Sequence, residues 1–234
     1  MIPDPRLRSR IARLRLIPAR FARWMSSLPA QPGSNVVGNV YDKYGSKNPI
    51  ARRLMDGFLE NVGDMYEKTA ASTVLEVGCG EGRLADYLFR RRPPTAFVAL
   101  DLSMERLAPE LDPRVRFLQA SAYELPFADD AFDLVVCCEV LEHLDRPAEA
   151  LRELTRVSRS GVLMSTPREP LWRAMNVARG KYLRDLGNTP GHIQAFSRRS
   201  LKALASAHLE VEEVRSPIPW TAILGKVGGS SADR

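Results

Sequence analysis

From Thr73 onward the chain alternates short, mostly apolar runs with amphipathic segments, and this pattern restricts the possible folds more than any other feature of the sequence. The runs are Val74–Val77, Ala96–Leu100, Val115–Leu118, Phe132–Cys138 and Gly161–Ser165; helical patterns over Arg83–Arg92, Met104–Glu110 and Pro147–Ser158 separate them. Strands that are apolar at nearly every position, not every second one, are covered on both faces, and helical crossovers are what parallel strands need between them. The pattern therefore predicts an α/β domain with a mostly parallel sheet between helical layers. Leu209–Val214 and Trp220–Val227 are expected to close the sheet as an antiparallel pair at one edge.

With 234 residues the chain has room for one such domain and a modest extension. Residues 1–33 are assigned to an N-terminal arm and 34–234 to the domain. Residues 1–25 contain seven arginines against Asp4 alone, a surplus of six; subtracting them from the totals of 34 basic and 28 acidic residues leaves 27 of each. The formal charge of +6 therefore resides in the arm, and the neutral body argues against a long nucleic acid as partner. Leu7, Ile11, Leu14, Phe21 and Trp24 keep roughly helical spacing among the arginines, so the arm suits an anionic membrane surface or a partner protein; a disordered, solvated tail or a start codon placed too early is the plainer reading, and an Arg-rich presequence is a further alternative. Ser26–Gly38 reads as a linker, and Ala51–Lys68 as a helix with Leu54, Met55, Phe58 and Val62 on one side.

No apolar run approaches the roughly eighteen residues of a membrane span. Cys79, Cys137 and Cys138 form an odd set with two members adjacent, which suits reduced thiols in a cytoplasm. With His143, His192 and His208 as the only histidines and no C-x-x-C pair, no structural zinc is expected.

Chemistry concentrates around VLEVGCGEG, Val74 to Gly82, a glycine-rich turn placed directly after the first buried strand and before a helix. Gly78, Gly80 and Gly82 allow a sharp turn and a close backbone approach to a ligand. The spacing is G-x-G-x-G, not the G-x-G-x-x-G of NAD-binding folds, and Glu76 sits two residues before the first glycine, where a carboxylate attracts a cationic amino acid moiety. Asp101 ends the second strand, placed to accept both hydroxyl protons of a ribose.

Together with these residues, QASAYELPFADDAFDLVVCCEVLEHL, Gln119 to Leu144, resembles the class I S-adenosylmethionine-dependent methyltransferases, in particular the broad family that includes the ubiquinone and menaquinone biosynthesis enzymes. The resemblance covers about residues 70–166. It implies a Rossmann-like, seven-stranded, mostly parallel sheet with helices on both faces and the last strand antiparallel, and S-adenosylmethionine as cofactor. Carried over by position, it implies that Gly78, Cys79, Gly80 and Gly82 pack on the methionine part, Asp101 holds the ribose, and Leu102, Ser121 and Ala122 border the adenine. Ser121 stands where many relatives have an aspartate, a stronger acceptor for the adenine amino group. Glu139, ending the fourth strand, would stand where cofactor and acceptor meet.

EVLEHL, Val140 preceded by Glu139 and followed by Glu142 and His143, also resembles ubiquinone-pathway O-methyltransferases and small-RNA 2′-O-methyltransferases, in which this run can bind a divalent metal. A metal is allowed here but not expected. His143 and His192 are the candidate catalytic bases, with packing or capping as the plain alternative. The segment Pro167–Phe196 reads as a substrate-side insertion; between Arg168 and Arg199 it holds seven basic residues against two acidic ones, with Trp172 and Tyr182 interleaved, which suits an anionic small-molecule acceptor with a planar or apolar body. Tyr41–Pro49 is a candidate opposite lip. The expected activity is methyl transfer to a small molecule, most simply to oxygen; RNA 2′-O-methylation and a cofactor-binding protein without turnover are the alternatives.

Overall fold

The computed structural model describes residues 48–228. The basic arm, the linker and the Tyr41–Lys47 part of the candidate lip lie outside the described residues.

Helix α1, Pro49–Lys68, starts at Asn48, whose side-chain oxygen accepts the amides of Ile50 (2.9 Å) and Ala51 (3.3 Å); Pro49 occupies the first turn, where its missing N–H has no consequence. The helix buries Met55, Phe58, Val62, Met65 and Tyr66, a spacing of three and four residues that makes one apolar stripe. There follow β1 (Thr73–Val77), α2 (Arg83–Arg91), β2 (Ala96–Asp101), β3 (Val115–Gln119), β4 (Phe132–Cys138), a single 3₁₀ turn (Leu141–His143), α3 (Pro147–Val157) and β5 (Ser158–Pro167). The remainder comprises α4 (Leu171–Ala178), a second 3₁₀ turn (Leu183–Asp185), α5 (Arg198–Ser206), β6 (Glu210–Arg215) and β7 (Trp220–Lys226).

The seven strands form one sheet in the order β3-β2-β1-β4-β5-β7-β6, and β7 alone runs against its neighbours. Because β6 and β7 are joined by a tight connection, they pair antiparallel, and β7 slots between β5 and β6. Alternate positions of the sheet face opposite layers. Val74, Phe97, Ala99, Leu134, Val136, Leu163 and Ala222 join the core shared with α1 and α2. Leu75, Leu100, Val135, Val162, Met164 and Ile223 are as fully buried from the other side, where α3 and α5 pack. That two-sided cover explains the mostly apolar runs.

One expected element is missing. Met104–Glu110 is not a helix but a chain of turns, in which the Leu107 amide reaches the Met104 carbonyl at 3.4 Å and the Ala108 amide is drawn to the Glu81 carbonyl at 3.1 Å. Pro109 disfavours the helical conformation at Ala108, and seven residues leave too few internal hydrogen bonds to offset nucleation. β5 also begins earlier than its apolar run, since Ser158 closes a local turn in which its hydroxyl donates to the Gly161 carbonyl at 2.6 Å.

The sheet order reverses at β1: β2 follows on one side and β4 on the other. Connections leave in opposite directions there and open a crevice at the carboxyl ends of the strands, the usual ligand position of open α/β sheets.

Candidate functional site

The glycine turn lies in that crevice. Its amides at Gly78 and Cys79 both donate to the Leu100 carbonyl, at 2.7 and 2.9 Å, which ties the end of β1 to the end of β2. Gly78, Gly80 and Gly82 all have positive φ, 79°, 52° and 74°. Their surroundings differ. A Cβ on Gly78 would lie 2.2 Å from Val140, and one on Gly82 would lie 2.8 Å from Leu111 and Phe117, so these two glycines serve internal packing as well as the turn. A Cβ on Gly80 would meet nothing within 4 Å; its backbone faces open space.

The Gly80 amide donates to one carboxylate oxygen of Asp101 at 2.8 Å, and the Ser103 amide donates to the other at 3.2 Å. A carboxylate has about four acceptor positions, so two remain for hydroxyl donors. Leu102 follows as a 53% exposed leucine at the mouth of the crevice, in the open position a flat apolar ligand would cover. Ser121 and Ala122 are half-buried after β3, and the Ser121 hydroxyl oxygen accepts the Tyr123 amide at 3.2 Å.

Glu76 is 2% exposed in the middle of the apolar β1, and its Oε2 accepts no hydrogen bond from any described residue. Burial, reinforced by the nearby Asp101 carboxylate, pushes its pKa up to about 8. A buried carboxyl in this state is stabilised by a cation brought alongside it. The chemistry of the set fits S-adenosylmethionine: an acidic group for a cationic amino acid end, an open glycine backbone, and a carboxylate for ribose hydroxyls. Cys79, whose thiol is likewise pushed up by burial, is free and 7% exposed within the turn.

Glu139 adopts a left-handed conformation, φ 61°, just past β4. A non-glycine residue held there signals a local constraint, and the constraint is visible: Trp220 Nε1 donates to Oε2 at 2.7 Å, the Ser165 hydroxyl donates to Oε1 at 3.2 Å, and the Glu139 amide donates to the Ser165 carbonyl at 3.0 Å. Sequence reasoning missed both partners. Ser165 is a polar residue at the end of an apolar run. A tryptophan entering a buried strand needs an acceptor for its N–H. These were the available signals.

Three residues further on, Glu142 and His143 are buried, and the insertion brings His192 to them across 49 positions of sequence. The ligating atoms of Glu142, His143 and His192 lie within 4.8 Å of one another. His143 Nδ1 is 2.8 Å from the Gly191 carbonyl, which can only accept, so Nδ1 carries a proton, and in the neutral form of the ring the acceptor position is Nε2, on the side of Glu142. The two imidazoles meet edge to face with centroids 4.9 Å apart, and His192 stacks on Trp172 at 6.2 Å. Trp172 in turn packs on Trp220, and Trp220 on Phe58 of α1, so an aromatic wall runs from α1 to the insertion. The loop is fastened by the Ile193 and Gln194 amides, which both donate to the Glu142 carbonyl, at 2.9 and 3.0 Å. The chemistry of this trio suits either proton transfer or a divalent cation; Glu139, which the resemblance would add as a ligand, already accepts from Trp220 and Ser165.

Comparison with known proteins points to a methyltransferase domain. A family model described as a methyltransferase domain matches residues 75–165, from β1 to the end of β5. The chain is 33% identical over 141 residues to the ubiquinone/menaquinone biosynthesis C-methyltransferase UbiE of Dinoroseobacter shibae, covering 55% of this chain and 56% of that one. It is 41% identical over 109 residues to a probable S-adenosylmethionine-dependent methyltransferase of Mycobacterium tuberculosis, covering 44% and 40%. The chain spans about half or less of the length of the curated relatives it matches. Among solved structures, the magnesium protoporphyrin IX methyltransferase of Synechocystis PCC 6803, with bound SAH, shares the fold at a TM-score of 0.56 and 15% identity, over 93% of this chain and 99% of that one. The match of residues 75–165, the seven-stranded sheet and these relatives together support a class I S-adenosylmethionine-dependent methyltransferase domain.

Proposed function

We propose that the chain transfers the methyl group of S-adenosylmethionine to a small-molecule acceptor and that the accepting atom is an oxygen. The observation that carries the cofactor assignment is the joint placement of Gly80, Asp101 and Glu76: an open, positive-φ backbone whose amide is already bonded to one carboxylate, beside a second, buried one. In this reading Gly78, Cys79, Gly80 and Gly82 bed the methionine part, and Glu76 faces its ammonium. Asp101 accepts the ribose hydroxyls, and Leu102, Ser121 and Ala122 border the adenine.

Methyl transfer is an in-line displacement. Bound S-adenosylmethionine would supply an electrophilic methyl group, passed to the acceptor oxygen as the carbon–sulfur bond breaks and its electron pair stays on sulfur in a neutral thioether. The protein aligns the two molecules and excludes water, and Glu139, held by Trp220 and Ser165, borders the acceptor side. A hydroxyl acceptor must also lose a proton. Nε2 of His143, with its ring tautomer set by Gly191, and the adjacent His192 are the proposed receivers, which is why oxygen is favoured over carbon.

A second reading, RNA 2′-O-methylation, draws on the convergence of Glu142, His143 and His192, which could hold a divalent cation near the acceptor. The balance of acidic and basic residues outside the arm speaks against an extended polyanion. The test is to supply a donor labelled with a deuterated methyl group to an extract of the source cell and to identify the labelled product by mass spectrometry. A labelled small-molecule ether or ester is expected. Label in RNA would establish the second reading, and absence of S-adenosylhomocysteine formation would reduce the chain to a binding protein. For the product so identified, His143→Ala and His192→Ala are each expected to lower turnover about 10²–10⁴-fold with unchanged cofactor affinity; wild-type turnover in both would remove the proton-transfer role.

A further inference from the structure

The insertion exposes large apolar side chains that a water-facing loop would ordinarily avoid. Val177 is 45% exposed, Leu183 57% and Leu186 77%, all within ten residues. They sit on a defined protrusion. Asn176, 1% exposed, anchors it: its side-chain amide donates to the Gly187 carbonyl at 2.8 Å, and its own carbonyl accepts the Lys181 amide at 2.8 Å. The Gly187 amide closes the loop onto the Tyr182 carbonyl at 2.8 Å. Gly187 is so near α4 that a Cβ there would lie 3.0 Å from Val177, which brings the Leu183–Leu186 turn beside the helix end.

The charge on this protrusion is one-sided. Arg179 and Arg184 are exposed, and neither has an acidic partner among the described residues; the Arg179 guanidinium instead caps α4 through Asn176 and the Met175 carbonyl. Asp185 is the one opposing charge in the turn. Of the two acidic residues between Arg168 and Arg199, Glu169 is paired with Arg173. Contiguous exposed leucines framed by unpaired arginines indicate a surface that is completed by something both apolar and anionic.

We propose that the α4–Leu186 protrusion docks on an anionic lipid surface, with Leu183 and Leu186 entering the acyl boundary and Arg179 and Arg184 meeting the headgroups. Charge selects this occupant. The chain's own arm, residues 1–25, carries a surplus of six positive charges and would repel the protrusion, and a second copy of the protrusion would oppose like with like. An anionic bilayer neutralises the arginines and covers the leucines together, and long arginine stems reach upward as the turn settles. The proposal does not depend on which reaction the domain performs.

The test places a reporter on the protrusion itself. Cys79, Cys137 and Cys138 are buried, so in a Leu186→Cys variant of the full chain an environment-sensitive fluorophore attaches at position 186. With vesicles of phosphatidylcholine containing phosphatidylglycerol, the emission is expected to shift to shorter wavelength; with phosphatidylcholine alone it is expected to stay unchanged. The unlabelled Leu183→Ser/Leu186→Ser variant, whose changes lie at exposed positions, is expected to melt as the parent does and to lose at least about tenfold in partitioning to the anionic vesicles. If the chain sediments with those vesicles while the fluorophore remains in water and the double variant binds undiminished, the proposal is overturned and the arm alone carries attachment. Failure of the full chain to bind either vesicle overturns it as well.

Discussion

Replacing Asp101 by alanine should separate cofactor affinity from folding. In the free protein the carboxylate accepts, among the described residues, the Gly80 and Ser103 amides, both at the open end of the sheet, so its loss leaves the buried strands untouched. Those two amides can turn to water, and the expected change in stability is on the order of 1 kcal/mol. The bound state loses more. Two hydroxyl donors to a charged acceptor are worth about 1.5–3 kcal/mol each, together about 3–6 kcal/mol, or roughly 10²–10⁴-fold in Kd. Calorimetric titration with S-adenosylhomocysteine, compared with the parent protein, reads this directly, and thermal melting without ligand controls for folding. Asp101→Asn, which keeps an acceptor for the Gly80 amide, is expected to fall between the two. An Asp101→Ala protein that folds and binds as tightly as the parent would refute the ribose assignment.

The turn glycines should behave differently from one another. Gly78→Ala collides with Val140 and is expected to lower thermal stability by several kcal/mol, whereas Gly80→Ala has room and is expected to lose only about 1–2 kcal/mol through its left-handed backbone while still weakening cofactor binding. Glu76 predicts a pH dependence. Its folded pKa of about 8 lies above the ordinary value of 4.5, so the folded state holds a proton that the unfolded chain has released between these values. Its contribution to the stability of the free protein is therefore fully present below the ordinary carboxylate range and is lost as pH rises toward about 8; Glu76→Gln should remove that contribution to the slope in thermal melts across pH. Trp220→Phe keeps a ring between Phe58 and Trp172 but removes the N–H donated to Glu139. Turnover is expected to fall roughly tenfold, corresponding to about 1.5 kcal/mol, with little change in melting temperature.

Local pattern revealed the sheet because its central strands are covered on both faces: β1 is buried at every position and β4 at every position but Asp133, so most of their residues had to be apolar, with Thr73 and Glu76 the polar members of β1. It failed over Met104–Glu110, where a helical spacing of apolar residues was too short and too close to Pro109 to become a helix. It also did not specify that β7 would enter between β5 and β6, since strand order depends on tertiary pairing. The convergence of the turn, Glu76 and Asp101 was legible because they are fixed by short sequence distances at the ends of adjacent strands. The grouping around Glu139, His143 and His192 was less so. The meeting of His143 with His192 is made by the path of the insertion, and the bond from Trp220 to Glu139 crosses 81 positions of sequence. The arginine surplus of the insertion could be counted in advance, but which leucines would be left facing water depended on how the loop closes over Asn176.

In the proposed function the crevice at the ends of β1, β2 and β4 holds an adenosyl sulfonium. Isothermal titration of the full chain with S-adenosylmethionine and, separately, with S-adenosylhomocysteine tests it most directly. Saturable heat at one ligand per chain, accompanied by a rise in melting temperature with both ligands, is the predicted result. Neither heat nor a thermal shift with either ligand, from protein that melts cooperatively on its own, would contradict the account.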